Sequence, residues 1–171
     1  MLGVQRGTVQ VVAYSPQWAS LFEQERKRLS AALGSLALDI QHIGSTSVPG
    51  LAAKPILDMG VAIAAEADVD ACVPLLEALG YHYEGYRGAS EGYFFNLGSQ
   101  TRLTHYLHML LIESEGWRNY LRFRDTLIAH PEIRDQYMTL KQALAVQYAA
   151  DRPAYTAAKA EFIQSVLAAD P

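Results

Sequence analysis

The chain has 171 residues, enough for one domain with a substantial buried core. Half of them are hydrophobic and 19% are charged, a globular balance that excludes a disordered or fibrous protein. A net charge of −4 excludes a broad nucleic-acid-binding face, which needs excess Lys and Arg to displace counterions, but leaves room for a small basic pocket.

Residues 9–13 are short, β-branched and apolar and read as a first strand. Ser15-Pro16 then offers an N-cap followed by proline at the first helical position. Trp18, Leu21, Phe22, Leu29 and Leu33 recur at helical spacing, with charges from Glu23 to Arg28 on the other face and Gly34 as the C-cap. Residues 38–43 read as a second strand and 55–63 as a third, interrupted only by Asp58. A helix over 69–79 ends at Gly80, and Pro74 should confine its regular part. The aromatic, alternating segments 81–86, 93–97 and 104–111 read as three more strands, with Gly85, Gly88, Gly92 and Gly98 as turns.

From Ser114 onward the pattern is helical. Trp117, Tyr120, Leu121 and Leu127 mark one helix, Pro131 opens a second that runs to about Tyr148, and Asp151 caps a last one holding Tyr155, Phe162 and Val166. The expectation is an α+β fold: a mixed sheet of about five or six strands, flanked by helices, with a helical C-terminal part. No linker or repeat divides residues 1–171. The single cysteine, Cys72, sits between Ala71 and Val73 and cannot form an internal disulfide, which points to a buried inert thiol and a cytoplasmic, reducing compartment. Neither a secretory signal nor a membrane-length apolar run is visible, so no membrane partner is expected.

The run from His42 to Asp58 carries the chemistry. A strand ends at Gly44, where the backbone can approach a ligand closely, and Ser45, Thr46 and Ser47 follow with hydroxyl and backbone donors suited to an anion. Pro49-Gly50 fits the middle of a type II turn that folds the segment back, and Lys54 adds a positive charge before Pro55. Asp58 lies inside an apolar strand, where an unpaired charge costs several kcal/mol, so it should face a cleft, a metal or a cation. Ser45, Lys54 and Asp58 are therefore expected around one cleft. The plainer alternative is a polar turn with Asp58 bonded to Lys54 or to a backbone N–H. The glycine–lysine–hydroxyl order of a P-loop is missing.

This stretch resembles the signature of the GrpB family, which belongs to the nucleotidyltransferase-like superfamily. The resemblance extends to Tyr14-Ser15-Pro16-Gln17-Trp18, Thr104-His105-Tyr106-Leu107-His108, Phe123-Arg124-Asp125, His130-Pro131-Glu132 and Tyr155-Thr156-Ala157-Ala158-Lys159. It implies a nucleotidyltransferase-like sheet on which Gly44-Ser45 grips phosphate and Asp58 holds magnesium. The superfamily's second metal carboxylate would fall at position 60, which is Gly60 here, and two-metal transfer chemistry needs that acid. Family members also occur joined to dephospho-coenzyme A kinase, which hints at a nucleotide-related ligand.

His105 and His108 should point to opposite faces of their strand, which disfavours zinc, and His108 is favoured to reach the pocket as ligand contact or general base. His42 is the second candidate, and either could instead be a satisfied core histidine. Arg122 and Arg124 either lie on a solvated helix face, with Asp125 paired to Arg122, or close the pocket on a phosphate. Tyr155 and Lys159 share a face of the last helix, from which Lys159 either snorkels to solvent or adds charge over the cleft. Three functions remain: a magnesium-dependent nucleotidyl or phosphoryl transferase with Asp58 and His108 as catalytic residues, a non-catalytic binder of a nucleotide or other phosphorylated small molecule, and a pure interaction protein.

Overall fold

The computed structural model describes residues 2–169. The chain enters through a two-residue strand β1 (Val4–Gln5) and a long helix α1 (Gln17–Leu33) before the first longer strand, β2 (Asp39–Ile43). After the Gly44 turn come β3 (Leu57–Ile63), α2 (Asp68–Ala78), β4 (His82–Tyr86), β5 (Tyr93–Gly98) and β6 (Arg102–Leu111). The C-terminal part is helical: α3 (Glu115–Ala129), α4 (Pro131–Gln147), α5 (Arg152–Ala158) and α6 (Ala160–Ala169).

The strands form one mixed sheet in the order β2-β3-β6-β5-β4, in which β3 and β6 are parallel and the other neighbours antiparallel. β1 pairs with the start of β6. β3 reads as nearly continuous apolar sequence because it is central and covered on both faces. Met59, Val61 and Ile63 point to one face, where they pack with Phe22 and Leu29 of α1 and Cys72 and Leu76 of α2. Ala62 points to the other, where Leu110 and Trp117 meet it. Asp58 and Gly60 share that second face, and Trp117 of α3 lies over Gly60.

Several local expectations change. Among the described residues, 9–13 make one bridge, Val12 with Ala53; the run is apolar because Val9 packs on Leu144 and Tyr155 and Val12 on Trp18 and Leu57, not because it enters the sheet as a strand. Pro16 rather than Ser15 occupies the N-cap, and the Trp18 N–H donates to the Ser15 carbonyl at 3.1 Å. Glu25, placed among the outward charges of α1, is buried, accepts from the Tyr81 hydroxyl at 2.9 Å and pairs with Arg28 at 2.6 Å. Pro74 lies within α2 without ending it. The residue whose carbonyl loses its donor, Asp70, is on the exposed side of that helix. Gly85 and Gly98 mark register shifts inside strands rather than turns. The last helix breaks at Lys159 into α5 and α6. Among the described residues, no helix is long and apolar enough to cross a membrane. Cys72 is buried in the core, where desolvation pushes its thiol up.

Candidate functional site

Gly44 follows β2 with φ 67° and ψ −172°, a backbone state that L side chains rarely adopt. A Cβ there would also stand 2.6 Å from Asp58 Oδ2, so glycine lets the turn lie directly on the carboxylate. Ser45–Ser47 then form a 3-10 turn. Its three hydroxyls diverge: Ser47 donates to the Gly44 carbonyl at 2.5 Å, Thr46 lies 2.9 Å from His42 Nε2, and Ser45 faces the Tyr137 hydroxyl of α4. Gly50 has φ 80° and the Leu51 N–H donates to the Val48 carbonyl at 3.2 Å, which is the expected type II turn.

Asp58, half-buried on β3, faces four cations drawn from three elements of the chain: Lys54 before β3, Lys141 of α4, and Arg152 and Lys159 at the two ends of α5. Three tyrosines hold them. Lys54 Nζ and Lys159 Nζ lie 5.3 and 4.6 Å from the Tyr155 ring centroid, Lys141 Nζ lies 4.8 Å from that of Tyr137, and Arg152 Cζ lies 5.3 Å from that of Tyr106. Lys141 is 2% exposed and donates to the Ala52 carbonyl at 2.6 Å. Arg152 Nη2 is buried with no hydrogen-bond acceptor among the described residues.

Electrostatics follow from this crowding. Burial, then Lys159 and Arg152, pull the Lys54 ammonium down to about 7 against the attraction of Asp58. Burial, then Lys159 and Lys54, hold Lys141 at about 7 as well. Lys159 is lowered chiefly by burial. Burial pushes the Asp58 carboxyl up, while Lys54, Lys159, Arg152 and Lys141 resist in that order.

Lys54, Asp58, Tyr155 and Lys159 thus come together, with Gly44 and Ser45 at their edge. The other expected residues lie elsewhere. His42 is on the α1 face, stacked on Phe22 at 4.7 Å. His108 shares the Asp58 face but is buried between Phe94 and Tyr120, with Nδ1 3.1 Å from both the Glu91 carbonyl and the Tyr120 hydroxyl. His105 points the opposite way, toward Tyr81, as the strand period requires. Arg122 donates to the Leu167 carbonyl at 3.0 Å, and Arg124 to Gln41 Oε1 at 2.9 Å and the His42 carbonyl at 3.0 Å. Asp125 pairs with Arg124 at 2.8 Å rather than standing as the helical partner of Arg122.

Burial first, and Arg124 second, lower His42 to about 4; burial chiefly, with Arg87 adding to it, also lowers His108 to about 4. Both are therefore neutral in the folded state where the unfolded chain begins to protonate near 6.5. Their contribution is complete above pH 6.5 and is lost as pH falls toward 4, at about 1.4 kcal/mol per pH unit per histidine. Urea midpoints measured from pH 7 to pH 4 should fall steeply. His42→Gln and His108→Gln should each flatten the slope, and a flat wild-type profile would contradict the burial of both rings.

Arg152 and Lys141 were not foreseen, yet each left a trace in the sequence. Arg152, Tyr155 and Lys159 are spaced three and four apart, one helical face. Lys141 falls on the apolar stripe of α4 between Tyr137 and Leu144.

Magnesium, implied by the family resemblance, takes oxygen ligands, and a protein site for it usually supplies one or two carboxylates. A Cβ at Gly60 would lie 2.8 Å from Trp117 Cζ3, so the indole occupies the place of a second carboxylate. Among the described residues no three of His, Cys, Asp and Glu gather into a metal-binding group, and the groups facing Asp58 are ammonium and guanidinium. This donor set does not fit magnesium. It fits an anion.

The GrpB protein family model matches residues 8–169. Glutamate-rich protein GrpB of Alkalihalophilus pseudofirmus is 34% identical over 171 residues, covering 98% of this chain and 98% of that protein. UPF0157 protein YqkA of Bacillus subtilis is 36% identical over 157 residues, 92% of this chain but 46% of YqkA, so the chain spans about half of that relative. The crystal structure of conserved protein GrpB from Enterococcus faecalis matches with a TM-score of 0.84 at 35% identity, over 92% of this chain and 94% of that one. A crystal structure of the Cid1 poly(U) polymerase with MgGTP bound matches with a TM-score of 0.53 at 14% identity, over 81% of this chain and 44% of that one, a likeness of fold. The helix-flanked mixed sheet is nucleotidyltransferase-like.

Proposed function

The chain belongs to the GrpB family, and from that premise we propose that it binds a nucleotide or another phosphorylated small molecule at the Asp58 cluster, without transferring its phosphoryl groups. One observation carries the reading: four cations converge on a single carboxylate, and one of them, Arg152, keeps a buried Nη2 without an acceptor among the described residues. A buried unpaired donor costs about 1–3 kcal/mol, and an incoming phosphate oxygen removes that cost. Charge-assisted bonds to phosphate from Arg152, Lys54 and Lys159 are the strong kind, and Ser45 adds a hydroxyl at the edge. A transferase reading would need an acid where Trp117 stands over Gly60.

Thermal shift tests the reading, with nucleoside triphosphates, coenzyme A intermediates and the matching nucleosides, each with and without magnesium. A ligand at a hundredfold excess over its dissociation constant stabilises by about 2.7 kcal/mol, which is roughly 5–10 °C for a domain of this size. The phosphorylated forms should give this shift, the nucleosides should not, and EDTA should leave it intact. Arg152→Ala and Lys54→Ala should abolish it. No shift from any phosphorylated compound would leave an interaction protein as the better reading.

Binding should also take up protons. A bound anion raises the pKa of Lys54 and Lys141, which stand at about 7 in the free protein. Affinity should therefore fall as pH rises from 7 toward 9. Calorimetry at pH 8 in two buffers of different ionisation enthalpy should show uptake of about one proton or more. A buffer-independent heat would mean that the lysines do not contact the ligand.

A further inference from the structure

We propose that the ligand is a phosphate ester carrying a planar heteroaromatic group, and that this group stacks on Arg87 while the phosphate sits at the Asp58 cluster. The proposal rests on the phosphate-binding reading above and concerns the next stretch of the same sheet face. The antiparallel and parallel registers set Asp58, Tyr106 and Asn96 in one row across β3, β6 and β5, and Gly60, His108 and Phe94 in the next. Asp58 stands at the phosphate end of this face and Phe94 at the other.

An unbroken series of flat groups joins the two ends. The Arg152 guanidinium lies 5.3 Å from the Tyr106 centroid, Tyr106 lies 5.1 Å from Phe94, and the Arg87 guanidinium lies 3.6 Å from the Phe94 centroid. Phe94 is buried beneath Arg87, while the Arg87 side chain is 42% exposed. A guanidinium supported from below by a ring offers its free face to another planar π-system, which an ammonium cannot do. Tyr106 is the junction: burial raises its hydroxyl to about 12, and Arg152, Asp58, Arg87 and Arg6 all act on it.

Arg87 is held in place before any ligand arrives. Its backbone N–H donates to the Gly92 carbonyl at 2.8 Å, closing the loop 87–92. That loop is pinned at Glu91 by His108 at 3.1 Å, and Gly92 packs against the Met109 carbonyl too closely for any Cβ. This also gives the buried, neutral His108 a job: it positions the loop that carries Arg87. Among the described residues the only ion pair of Arg87, with Glu84, is 4.0 Å long and exposed, and a lysine stem can still cover Phe94, so Arg87→Lys should leave the fold undisturbed.

Calorimetry in EDTA with inorganic tripolyphosphate, ATP, UTP and ribose 5-phosphate tests the proposal. Wild type should bind the nucleotides roughly tenfold more tightly than tripolyphosphate, the range expected of one stacking contact. Arg87→Lys keeps the charge and loses the plane, so it should bring the nucleotides down to the tripolyphosphate level while changing tripolyphosphate itself less than about twofold. Arg152→Ala should weaken all of them. A nucleotide preference that survives in Arg87→Lys, or that is missing in wild type while tripolyphosphate binds, overturns the stacking site and leaves the phosphate reading standing. Failure of tripolyphosphate and nucleotides alike to bind wild type overturns both.

Discussion

Asp58→Asn is expected to tighten the binding of a phosphorylated ligand on the order of tenfold, because it removes a like charge from a site whose other members are cationic. A metal-holding Asp58 would give the opposite sign, loss of binding upon the same substitution. The change is nearly isosteric, so packing against Gly44 should survive. Apo stability should shift only modestly, since Lys54 and Lys141, already near 7, can release protons once their counter-charge is gone. Titration with pyrophosphate in EDTA, and again with magnesium, measures the outcome. A loss of affinity confined to the magnesium series would show that Asp58 ligates the metal and would sink the counter-ion role.

Gly60→Asp should lower the melting temperature by roughly 10 °C. A Cβ at position 60 stands 2.8 Å from Trp117 Cζ3, and overpacking of this kind costs about 1–3 kcal/mol before a buried carboxylate is added. The sum is on the order of 3–5 kcal/mol, at about 2–4 °C per kcal/mol. Gly60→Ala, with only the Cβ, should show the smaller part. Installing the missing acid should therefore fail to create a magnesium site. A Gly60→Asp protein that melts within about 2 °C of wild type and gains stability with magnesium would mean that Trp117 yields, and that the transferase reading is open.

The elements with strong periodic patterns were legible, including the central strands, the order of helices and the type II turn at Pro49-Gly50. So was the parting of His105 and His108, because side-chain alternation in a strand is local geometry. Errors gathered where tertiary context overrides local preference. Residues 9–13 look like a strand, yet Val9 and Val11 answer to α4 and α5, and Val12 to Trp18 and Leu57. Glu25 looks solvated, yet the Tyr81 hydroxyl and Arg28 satisfy it inside the fold.

The candidate site divides along the same line. Local sequence alone marked Gly44, Ser45, Lys54 and Asp58, since a glycine at a strand end and a carboxylate in an apolar strand are chemical signals within one segment. It determined the α+β class and, by resemblance, the family. What it could not decide is which distant side chains close on Asp58. Lys141 and Arg152 arrive from α4 and α5, Trp117 arrives from α3 over Gly60, and Arg122, Arg124 and His42 are drawn to other partners. Those meetings depend on how helices separated by tens of residues dock on the sheet. Their packing, rather than any motif, makes the site cationic.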